Sequence, residues 1–489
     1  MRHSLTKERY AALAAQIQRH EDALDIRAAR RLKLLLEEEE IVHLPGETIY
    51  GWRTVSDFPD IYLPGEKEEL HASHFIHEQG RVCNLSSDWA GVLQGGLLRR
   101  RGTGEARDIT IDAVIAYADR YEDPELSEAV RYGAKDMKTA LNMFRILHMC
   151  LWASNVYHNT IGRFDQYMYP FYEADIQSGR LTEQTALQLL QEFFLSFNRD
   201  SDMYTGMQQG DNGQSLMLGG CDREGRCAVN DLTYLCITAS LNNRRIDPKI
   251  NLRVDKHTPL SLYRRCTELT RQGLGFPQYS NDDVVIPALT RLGYQLEDAR
   301  DYTVAACWEF IIPGVGMDIP NIGAVCLATV VHDVIEKKLA QCCAFDELME
   351  AVGQELVDRA DKLEASLRPI FIEPAPYQSV LMSDWSHDIS EGAKYNNYGI
   401  HGTGFATAVD QLCAVRWLIF EKKLRTPQQL LSALQNNFEN EVELKNLLLT
   451  RAPKLGRDAS CESVADALLE AFAHSWSHRT NESNADAFC

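Results

Sequence analysis

Two residues in the second half of the chain have types and spacing that could carry out radical or acid–base chemistry. Cys307 ends an uncharged, largely apolar run that begins at Tyr302, and Glu309 follows two residues later. In an extended backbone, side chains two residues apart face the same way, so the thiol and the carboxylate would share one space and Trp308 would point away. A neighbouring carboxylate disfavours a thiolate nucleophile. The pair therefore suits hydrogen-atom abstraction by a thiyl radical, with the carboxylate moving a proton.

A packing role for Cys307 is the alternative. Cysteine is among the residue types most often buried, and a cysteine in an apolar strand usually fills the core. The segment alone favours this alternative. The argument against it is Glu309, because a carboxylate flanked by Trp308 and Phe310 is costly to bury without a function.

Helices and short strands alternate around this segment. Helical patterns are predicted at 8–40, 109–160, 182–198, 231–241, 258–273, 283–292, 321–340, 344–367, 405–423 and 427–475. Thr182 is the predicted N-cap of the third of these helices. Strand-like runs lie at 249–254 and 302–312, and glycine-bearing polar stretches at 200–228 and 373–404 predict loops. The alternation indicates an α/β architecture in one main unit.

The composition is that of an acidic globular protein. The chain has 489 residues, of which 45% are hydrophobic and 25% charged, with a net charge of −20. This charge argues against nucleic acid and anionic membranes as partners, and no apolar run has membrane-spanning length. The N-terminus lacks the apolar core of a signal peptide, and the 13 cysteines include no C-x-x-C pair. We therefore expect a cytoplasmic protein with reduced thiols and no metal site.

Six separated motifs, in this order, resemble those of the glycyl radical enzymes, the family of pyruvate formate-lyase. They are GRFDQYMYPFYEADIQSGRLT (162–182), LGGCDREGRCAVNDLTYL (218–235), GLGFPQYSNDDVVIPAL (273–289), AACWEF (305–310), AKYNNYGIHGTGFATAVDQL (393–412) and APKLGRDASCESVADALL (452–469). Each motif alone is only suggestive, but six in order are specific. The chain most resembles the short YjjI-type branch of the family.

The resemblance implies a fold and a domain organisation. It covers residues 46–489 as one barrel domain, preceded by an N-terminal helical segment at 1–45. The family fold is a ten-stranded α/β barrel made of two antiparallel half-barrels and surrounded by helices. A loop inside the barrel, mapped to 305–312, would present Cys307. Its apolar shell would come from Ala305, Ala306, Trp308 and Phe310, which would keep the radical dry.

The resemblance also implies a reaction class. Formate-lyases carry adjacent cysteines at this point, whereas this chain has the Cys-x-Glu of dehydratase, decarboxylase and C–N lyase members. Cys307 would take a hydrogen atom from the substrate. Glu309 would remove a proton from a hydroxyl or similar group and assist loss of the leaving group. The expected substrate is a small polar molecule with vicinal oxygen or nitrogen groups.

Further residues are candidates for holding the substrate or donating a proton. Asp165 lies where some relatives bind substrate with a carboxylate, and the equally weighted alternative is a structural pair between Asp165 and Arg163. Four side chains could protonate a leaving group, and the sequence does not choose among them: Asp318, His71, His74 and His158. Asn281 and His401 belong to motif segments and are expected to have structural or pocket-lining roles.

The family stores its radical on a glycine near the C-terminus, in a motif like RVxGY, because only glycine can flatten at Cα. The 489 residues contain no such motif and end in NESNADAFC. Three explanations stay open: a truncated chain, which we favour, a glycine segment on a separate small protein, or a radical-free relative. We expect the chain as given to be inactive, because it lacks the radical site.

Three functions follow as hypotheses. The first is a homodimeric glycyl radical lyase that acts on a small molecule, holds no bound cofactor and is activated by a radical S-adenosylmethionine activating enzyme. The second is a radical-free or two-component relative that binds a small ligand. The third is a hydrolase with Cys307 as nucleophile beside a histidine, which requires a reactive thiolate.

Overall fold

The structure is a computed structural model that describes residues 2–70, 84–156, 158–203, 213–367, 371–477, 479 and 486–488. The strands are β1 Leu85–Ser86, β2 Asn159–Thr160, β3 Gly162–Arg163, β4 Ser215–Gly219, β5 Lys249–Val254, β6 Gln278–Asn281, β7 Thr303–Ala305, β8 Glu309–Ile311, β9 Gly316–Cys326, β10 Tyr395–Thr403 and β11 Asp486–Phe488.

The α-helices are α1 Lys7–Ile17, α2 Leu24–Glu38, α3 Glu66–Leu70, α4 Trp89–Gly95, α5 Glu105–Asp119, α6 Pro124–Tyr132, α7 Met137–Ala153, α8 Phe164–Tyr167, α9 Tyr169–Ser178, α10 Glu183–Ser196, α11 Asp231–Asn243, α12 Leu260–Thr270, α13 Asp282–Arg291, α14 Leu296–Ala299, α15 Leu327–Lys338, α16 Phe345–Leu367, α17 Pro376–Val380, α18 Phe405–Val415, α19 Pro427–Gln435, α20 Val442–Arg451 and α21 Glu462–Trp476. Within the described ranges, no helix is both long enough and apolar enough to cross a membrane.

The chain divides into two compact units. The first comprises residues 1–72, 80–319 and 371–396, and it contains β1 to β8. The second comprises residues 73–79, 320–370 and 397–489. In the second unit, α15 packs against α16 and α18, and α16 packs against α21. The predicted boundary between 1–45 and 46–489 stays a prediction.

The centre of the first unit is a parallel sheet in the order β3-β4-β5-β6. Helix α11 connects β4 to β5 and helix α12 connects β5 to β6, as parallel pairing requires a long crossover between strands. The register pairs Leu216 with Ile250 and Met217 with Asn251. Side chains alternate along a strand, so each strand contributes to two faces.

The two faces of this sheet differ in chemistry. One face carries aliphatic side chains, including Leu216, Leu218 and Leu252, all of them fully buried. The other carries Ser215, Asn251, Arg253 and Ser280, which are buried as well. Buried polar side chains are costly unless they bond to something, so this polar face must be covered by hydrogen-bonding groups.

Helix α10 confirms its prediction closely. Thr182 is the N-cap, its hydroxyl accepts the backbone N–H of Thr185, and Thr185 completes the capping box. Leu190 and Phe193 are buried on the inner face of the helix. The capping signal in the sequence therefore predicts the first residue of this helix correctly.

Several predicted boundaries are wrong. The predicted loop at 200–228 contains β4, and the one at 373–404 contains α17 and β10. The helix predicted from residue 321 begins at Leu327, because β9 continues to Cys326. Strand β4 is buried at every residue, so its sequence shows no alternation of apolar and polar residues. The glycines around it made the segment look like a loop.

The α/β class is confirmed. The described strands form a parallel pair β1-β2, the four-stranded sheet, the antiparallel pair β7-β8 and a three-stranded sheet β11-β10-β9. The ten-stranded barrel is a finer statement than these pairings, and it stays a prediction.

Candidate active site

Cys307 lies at the tip of a short hairpin. Strands β7 and β8 pair antiparallel, with Thr303 opposite Ile311 and Ala305 opposite Glu309. Three residues, 306–308, close the hairpin, and Ala306 turns the chain with a φ of +46°. The strand-like run predicted at 302–312 is thus two strands separated by a turn, and that turn lies within the loop that the resemblance maps to 305–312. Cys307 is exposed at the apex of the turn rather than set along a strand.

The Glu309 carboxylate lies against the backbone of this tip. Its Oε2 accepts the backbone N–H of Cys307 at 2.8 Å and that of Trp308 at 2.9 Å. The carboxylate thus approaches the cysteine by folding back across the turn, and not through the alternation of an extended strand. Two charge-assisted hydrogen bonds fix the position of one carboxylate oxygen.

The predicted apolar shell around the cysteine is only partly present. Ala305 is fully buried and Ala306 is 8% exposed, while the ring of Phe310 packs edge-on against Tyr302 at 5.4 Å between centroids. Trp308 is 54% exposed, so its predicted place in that shell is wrong. The turn at Ala306 directs residues 307 and 308 outwards together.

Three side chains from the strands hold the hairpin on the polar face of the sheet. Their bonds run from Arg253 Nη1 to Tyr302 O (3.1 Å), from Thr160 Oγ1 to Val304 O (2.8 Å) and from Ser215 Oγ to Ala306 O (2.8 Å). The three carbonyls belong to alternate residues, so they face the same way. The hairpin therefore supplies hydrogen-bond acceptors to Ser215 and Arg253 on the polar face.

A buried ion pair supports the root of the hairpin. Arg253 Nε and Nη2 donate to the two oxygens of Asp282 at 2.8 and 2.9 Å, and the Tyr302 hydroxyl donates to Asp282 Oδ1 at 2.8 Å. Burial raises the pKa of Tyr302. Although burial opposes the charge on Arg253, the Asp282 carboxylate raises its pKa. The root of the hairpin is thus rigidly bonded.

His158 lies close to the tip. A Cβ atom added at Gly213 would lie 3.6 Å from His158 Cδ2 and 3.7 Å from the Cα of Ala306. Only the width of one glycine therefore separates His158 from the residue before Cys307. The two other candidate histidines, His71 and His74, lie outside the described residues.

Asp165 is buried in a hydrogen-bonded network. Its Oδ2 accepts the Gly219 N–H at 2.8 Å and the Thr233 hydroxyl at 2.6 Å, and its Oδ1 accepts Gln166 Nε2 at 2.9 Å. Burial raises the pKa of Asp165, and these bonds oppose the shift. These hydrogen bonds hold the Asp165 carboxylate in place, and the alternative of a structural pair with Arg163 stays a prediction.

Arg163 forms its ion pair with Asp301, at 2.8 Å, and lines a cavity of about 480 Å³. Arg223, Asp298 and Pro313 line the same cavity. These residues flank the root of the hairpin, so the structure places Arg163 at the end of the hairpin away from Cys307. A substrate contact from Asp165 or Arg163 stays a prediction.

The remaining predicted residues are dispersed. Asn281 is exposed and caps α13, since its Oδ1 accepts the Asp283 N–H at 3.0 Å. Asp318 is buried in β9 and His401 is exposed in β10. Among the described residues, no group of three or more His, Cys, Asp or Glu side chains could hold a metal ion. The structure brings together Cys307 and Glu309, with His158 nearby.

The residues that hold the hairpin are not among those predicted from the sequence. Ser215 and Thr160 are uncharged hydroxyl residues in short strands, and such residues carry no spacing signal. Arg253 had no signal of burial either, because KINLRV at 249–254 alternates polar and apolar residues and such a pattern is typical of a strand with one solvent-exposed face.

Comparisons with known proteins identify the family of this chain. Residues 126–487 match the family described as pyruvate formate lyase-like. The (2S)-3-sulfopropanediol dehydratase of Klebsiella oxytoca is 29% identical over 347 residues, which cover 65% of this chain and 42% of that protein. Trans-4-hydroxy-L-proline dehydratase of Clostridioides difficile is 28% identical, over 64% of this chain and 43% of its own length. The chain thus spans less than half the length of these two relatives.

Solved structures share the fold. The hydroxyproline dehydratase of Clostridioides difficile superposes with a TM-score of 0.85 at 19% identity, covering 99% of this chain and 78% of that one. A glycyl radical enzyme of Archaeoglobus fulgidus superposes with a TM-score of 0.80 at 20% identity, covering 100% and 79% of the two chains. The assignment to the YjjI-type branch stays a prediction. The chain belongs to the pyruvate formate lyase-like family, and so to the glycyl radical enzyme superfamily.

Proposed function

We propose that this protein is a glycyl radical lyase of the dehydratase type, with Cys307 as the hydrogen-abstracting residue and Glu309 as the base. The observation that carries the proposal is the hairpin tip, where the carboxylate of Glu309 is hydrogen-bonded to the backbone N–H of Cys307 itself. Relatives that resemble the chain over about two thirds of its length are named as dehydratases, which supports the reaction class.

The exposed tip leaves Cys307 accessible to a hydrogen-atom acceptor, while the apolar shell predicted to keep the radical dry is only partly present. A stored glycyl radical, installed by a radical S-adenosylmethionine activating enzyme, would supply the hydrogen-atom acceptor that oxidises Cys307. The sulfur can be reached at the apex of a turn, while the backbone on either side is anchored. The accessible thiol and the anchored backbone around it therefore fit the transfer of a hydrogen atom from Cys307 to a glycyl radical. The predicted inactivity of the 489-residue chain by itself stays a prediction.

The proposed reaction begins and ends with the thiyl radical on Cys307. The Cys307 thiyl takes a hydrogen atom from a substrate C–H, which leaves a thiol and a carbon radical. Glu309 takes the proton of the hydroxyl on that carbon, and the bond to the neighbouring group breaks. That group leaves with the bonding electron pair and takes a proton from a general acid, for which His158 is the candidate, so a hydroxyl leaves as water. The product radical then takes the hydrogen atom back from Cys307, which restores the thiyl.

The substrate and partners belong to the same proposal. The proposed substrate is a small polar molecule with vicinal oxygen or nitrogen groups. Such a molecule could present a C–H bond to Cys307 and the neighbouring hydroxyl to Glu309. A homodimer and a cytoplasmic location are proposed from the family resemblance. His158, which lies one glycine away from the tip, is the nearest described candidate for protonating the leaving group.

The test uses the complete natural protein, prepared without oxygen and treated with its activating enzyme. Vicinal diols, hydroxyproline-type compounds and hydroxysulfonates are then screened for product. We expect the Cys307→Ala variant to keep the activase-dependent glycyl radical signal in electron paramagnetic resonance and to lose turnover by more than about 10⁴-fold. Turnover retained by this variant would overturn the assignment. A natural protein that acquires no radical signal would overturn the reaction class.

A further inference from the structure

The peptide unit that joins Ala306 to Cys307 is held at both of its ends. Its carbonyl oxygen accepts the Ser215 hydroxyl at 2.8 Å. Its N–H donates to Glu309 Oε2 at the same distance. A peptide unit is planar, so two hydrogen bonds on opposite sides fix its rotation about the chain and with it the direction of the Cys307 Cα–Cβ bond.

The backbone at this point needs such support. Ala306 has a φ of +46°, in the left-handed region that side chains other than glycine seldom occupy. Rotation of the 306–307 peptide would change the backbone at Ala306 and move the thiol. Ser215 is fully buried in β4, which is paired on both sides, so its hydroxyl is a fixed point in the sheet.

The two hydrogen bonds differ in how they respond to catalysis. The bond to Glu309 involves the group that takes the substrate proton. A neutral carboxyl is a weaker acceptor than a carboxylate, so the N–H side of the peptide is held less firmly once the proton has moved. The bond to Ser215 involves no group that titrates in the reaction and persists through the whole cycle.

We propose that Ser215 is a positioning residue that keeps the Cys307 peptide in place while Glu309 is protonated. The inference rests on the proposed function, because it takes Cys307 and Glu309 as the reacting pair. Ser215 thereby supports the step in which Cys307 returns the hydrogen atom. The thiol formed in the first step must keep its orientation toward the product radical until it donates that atom. Without the hydroxyl, the peptide rotates more readily in that interval.

Thr160 provides a second layer. Its Oγ1 lies 2.6 Å from the Ser215 carbonyl and 2.8 Å from the Val304 carbonyl. A hydroxyl has one proton, so it donates to one of these carbonyls at a time. The bond to Val304 ties the hairpin to β2, and the bond to Ser215 ties β4 to β2, so Thr160 supports either the hairpin or the strand that carries Ser215.

The first test needs no radical. Hydrogen–deuterium exchange is measured by mass spectrometry on the peptide that spans 303–311, in the unactivated complete protein. We expect Ser215→Ala to raise the exchange rate of the tip amides about tenfold, in line with loss of one buried hydrogen bond. Ser215→Thr keeps the hydroxyl and should stay within about twofold of wild type.

The matched control is Ser280→Ala. Ser280 is a buried serine of the same sheet, on β6, and its hydroxyl has no hydrogen-bond partner among the described residues. Its removal should leave exchange at the hairpin tip unchanged. Equal exchange at the tip in Ser215→Ala and Ser280→Ala would overturn the proposal. If Ser215→Ala does not fold, Ser215→Cys, which keeps the volume but donates only weakly, takes its place.

The second test uses the activated enzyme. Because the Cys307 thiol is less firmly oriented in Ser215→Ala, kcat should fall about tenfold while KM stays within about twofold of wild type. The Ser215→Thr variant should recover the wild-type kcat. A parallel loss in all three variants, Ser280→Ala included, would indicate general destabilisation and overturn the proposal. If the proposed function is wrong, Cys307→Ala will retain turnover. That outcome is distinct from the hydrogen-exchange measurement, which does not depend on turnover.

Discussion

At the scale of single residues, one carboxylate has two tasks. Glu309 accepts two backbone N–H bonds that shape the tip, and in the proposed reaction it also accepts a proton. An amide can perform the first task, because its carbonyl oxygen accepts hydrogen bonds, but it cannot act as a base. The two tasks can therefore be separated by a substitution of the same shape.

Glu309→Gln should keep the shape of the tip and lose the chemistry. We expect kcat to fall by about 10²–10⁴-fold, the usual contribution of a general base. Hydrogen exchange at the tip amides should rise less than in Glu309→Ala, because an amide oxygen still accepts both N–H groups, although more weakly than a carboxylate. Glu309→Ala should impair both. Turnover close to wild type in Glu309→Gln would show that the carboxylate only shapes the turn.

How far the sequence predicted the site can be judged residue by residue. The closeness of Cys307 and Glu309 was predicted from their spacing, but the structure reaches it through a turn. The family resemblance predicted a loop at 305–312, but the residues themselves do not place the turn at Ala306, because alanine carries no preference for the left-handed region. Ser215 could not be foreseen either, since its role depends on a residue 91 positions away in the chain.

At the scale of elements, the hairpin depends on close packing beneath it. Gly220 follows β4 with a φ of +74°, and a Cβ there would lie 2.6 Å from Arg253 Nε and 2.7 Å from Arg253 Cβ. The glycine lets the chain pass the ion pair between Arg253 and Asp282. Side chains as tightly placed as these cannot give way without breaking that pair.

Gly220→Ala should therefore destabilise the fold by about 2–4 kcal/mol, as overpacking adds to the cost of a positive φ. The control is Gly273→Ala, where φ is also +74° but a Cβ would meet nothing within 4 Å. That variant should lose only about 1 kcal/mol. Urea unfolding of both gives the comparison, and equal midpoints would contradict the packing argument.

The same scale shows which elements a sequence can reveal. Helix α10 was predicted with its cap, because its signals lie within a few residues. Strands β4, β9 and β10 were missed in whole or in part. Their apolar or glycine-bearing runs become strands through pairing with distant segments, and local patterns do not contain that information.

At the scale of the whole molecule, one buried histidine couples folding to pH. His148 is fully buried on α7, its Nε2 lies 2.7 Å from Gln214 Oε1, and burial, assisted by the Arg145 charge, lowers its pKa to about 3. As the pH falls below the ordinary histidine value, the unfolded chain binds a proton that the folded chain does not. This group therefore contributes its full stability above about pH 7 and loses it as the pH falls towards 3.

Between pH 7.5 and 5.5, His148 should account for about 1 kcal/mol of lost stability. In His148→Gln, which has no titrating ring, the free energy of unfolding should fall less over this interval by that amount. Urea unfolding at three pH values measures both slopes. Parallel pH dependences for the two proteins would show that His148 can take up a proton without unfolding.

The pairing of Ala305 with Glu309 also limits what the tip can become. Only three residues lie between the two paired positions, and side chains on a strand change face with every residue. Inserting or deleting one residue after Trp308 would carry the carboxylate to the opposite face of β8. The half-exposed Trp308 position should accept many different side chains, whereas the number of residues in the turn is constrained to three.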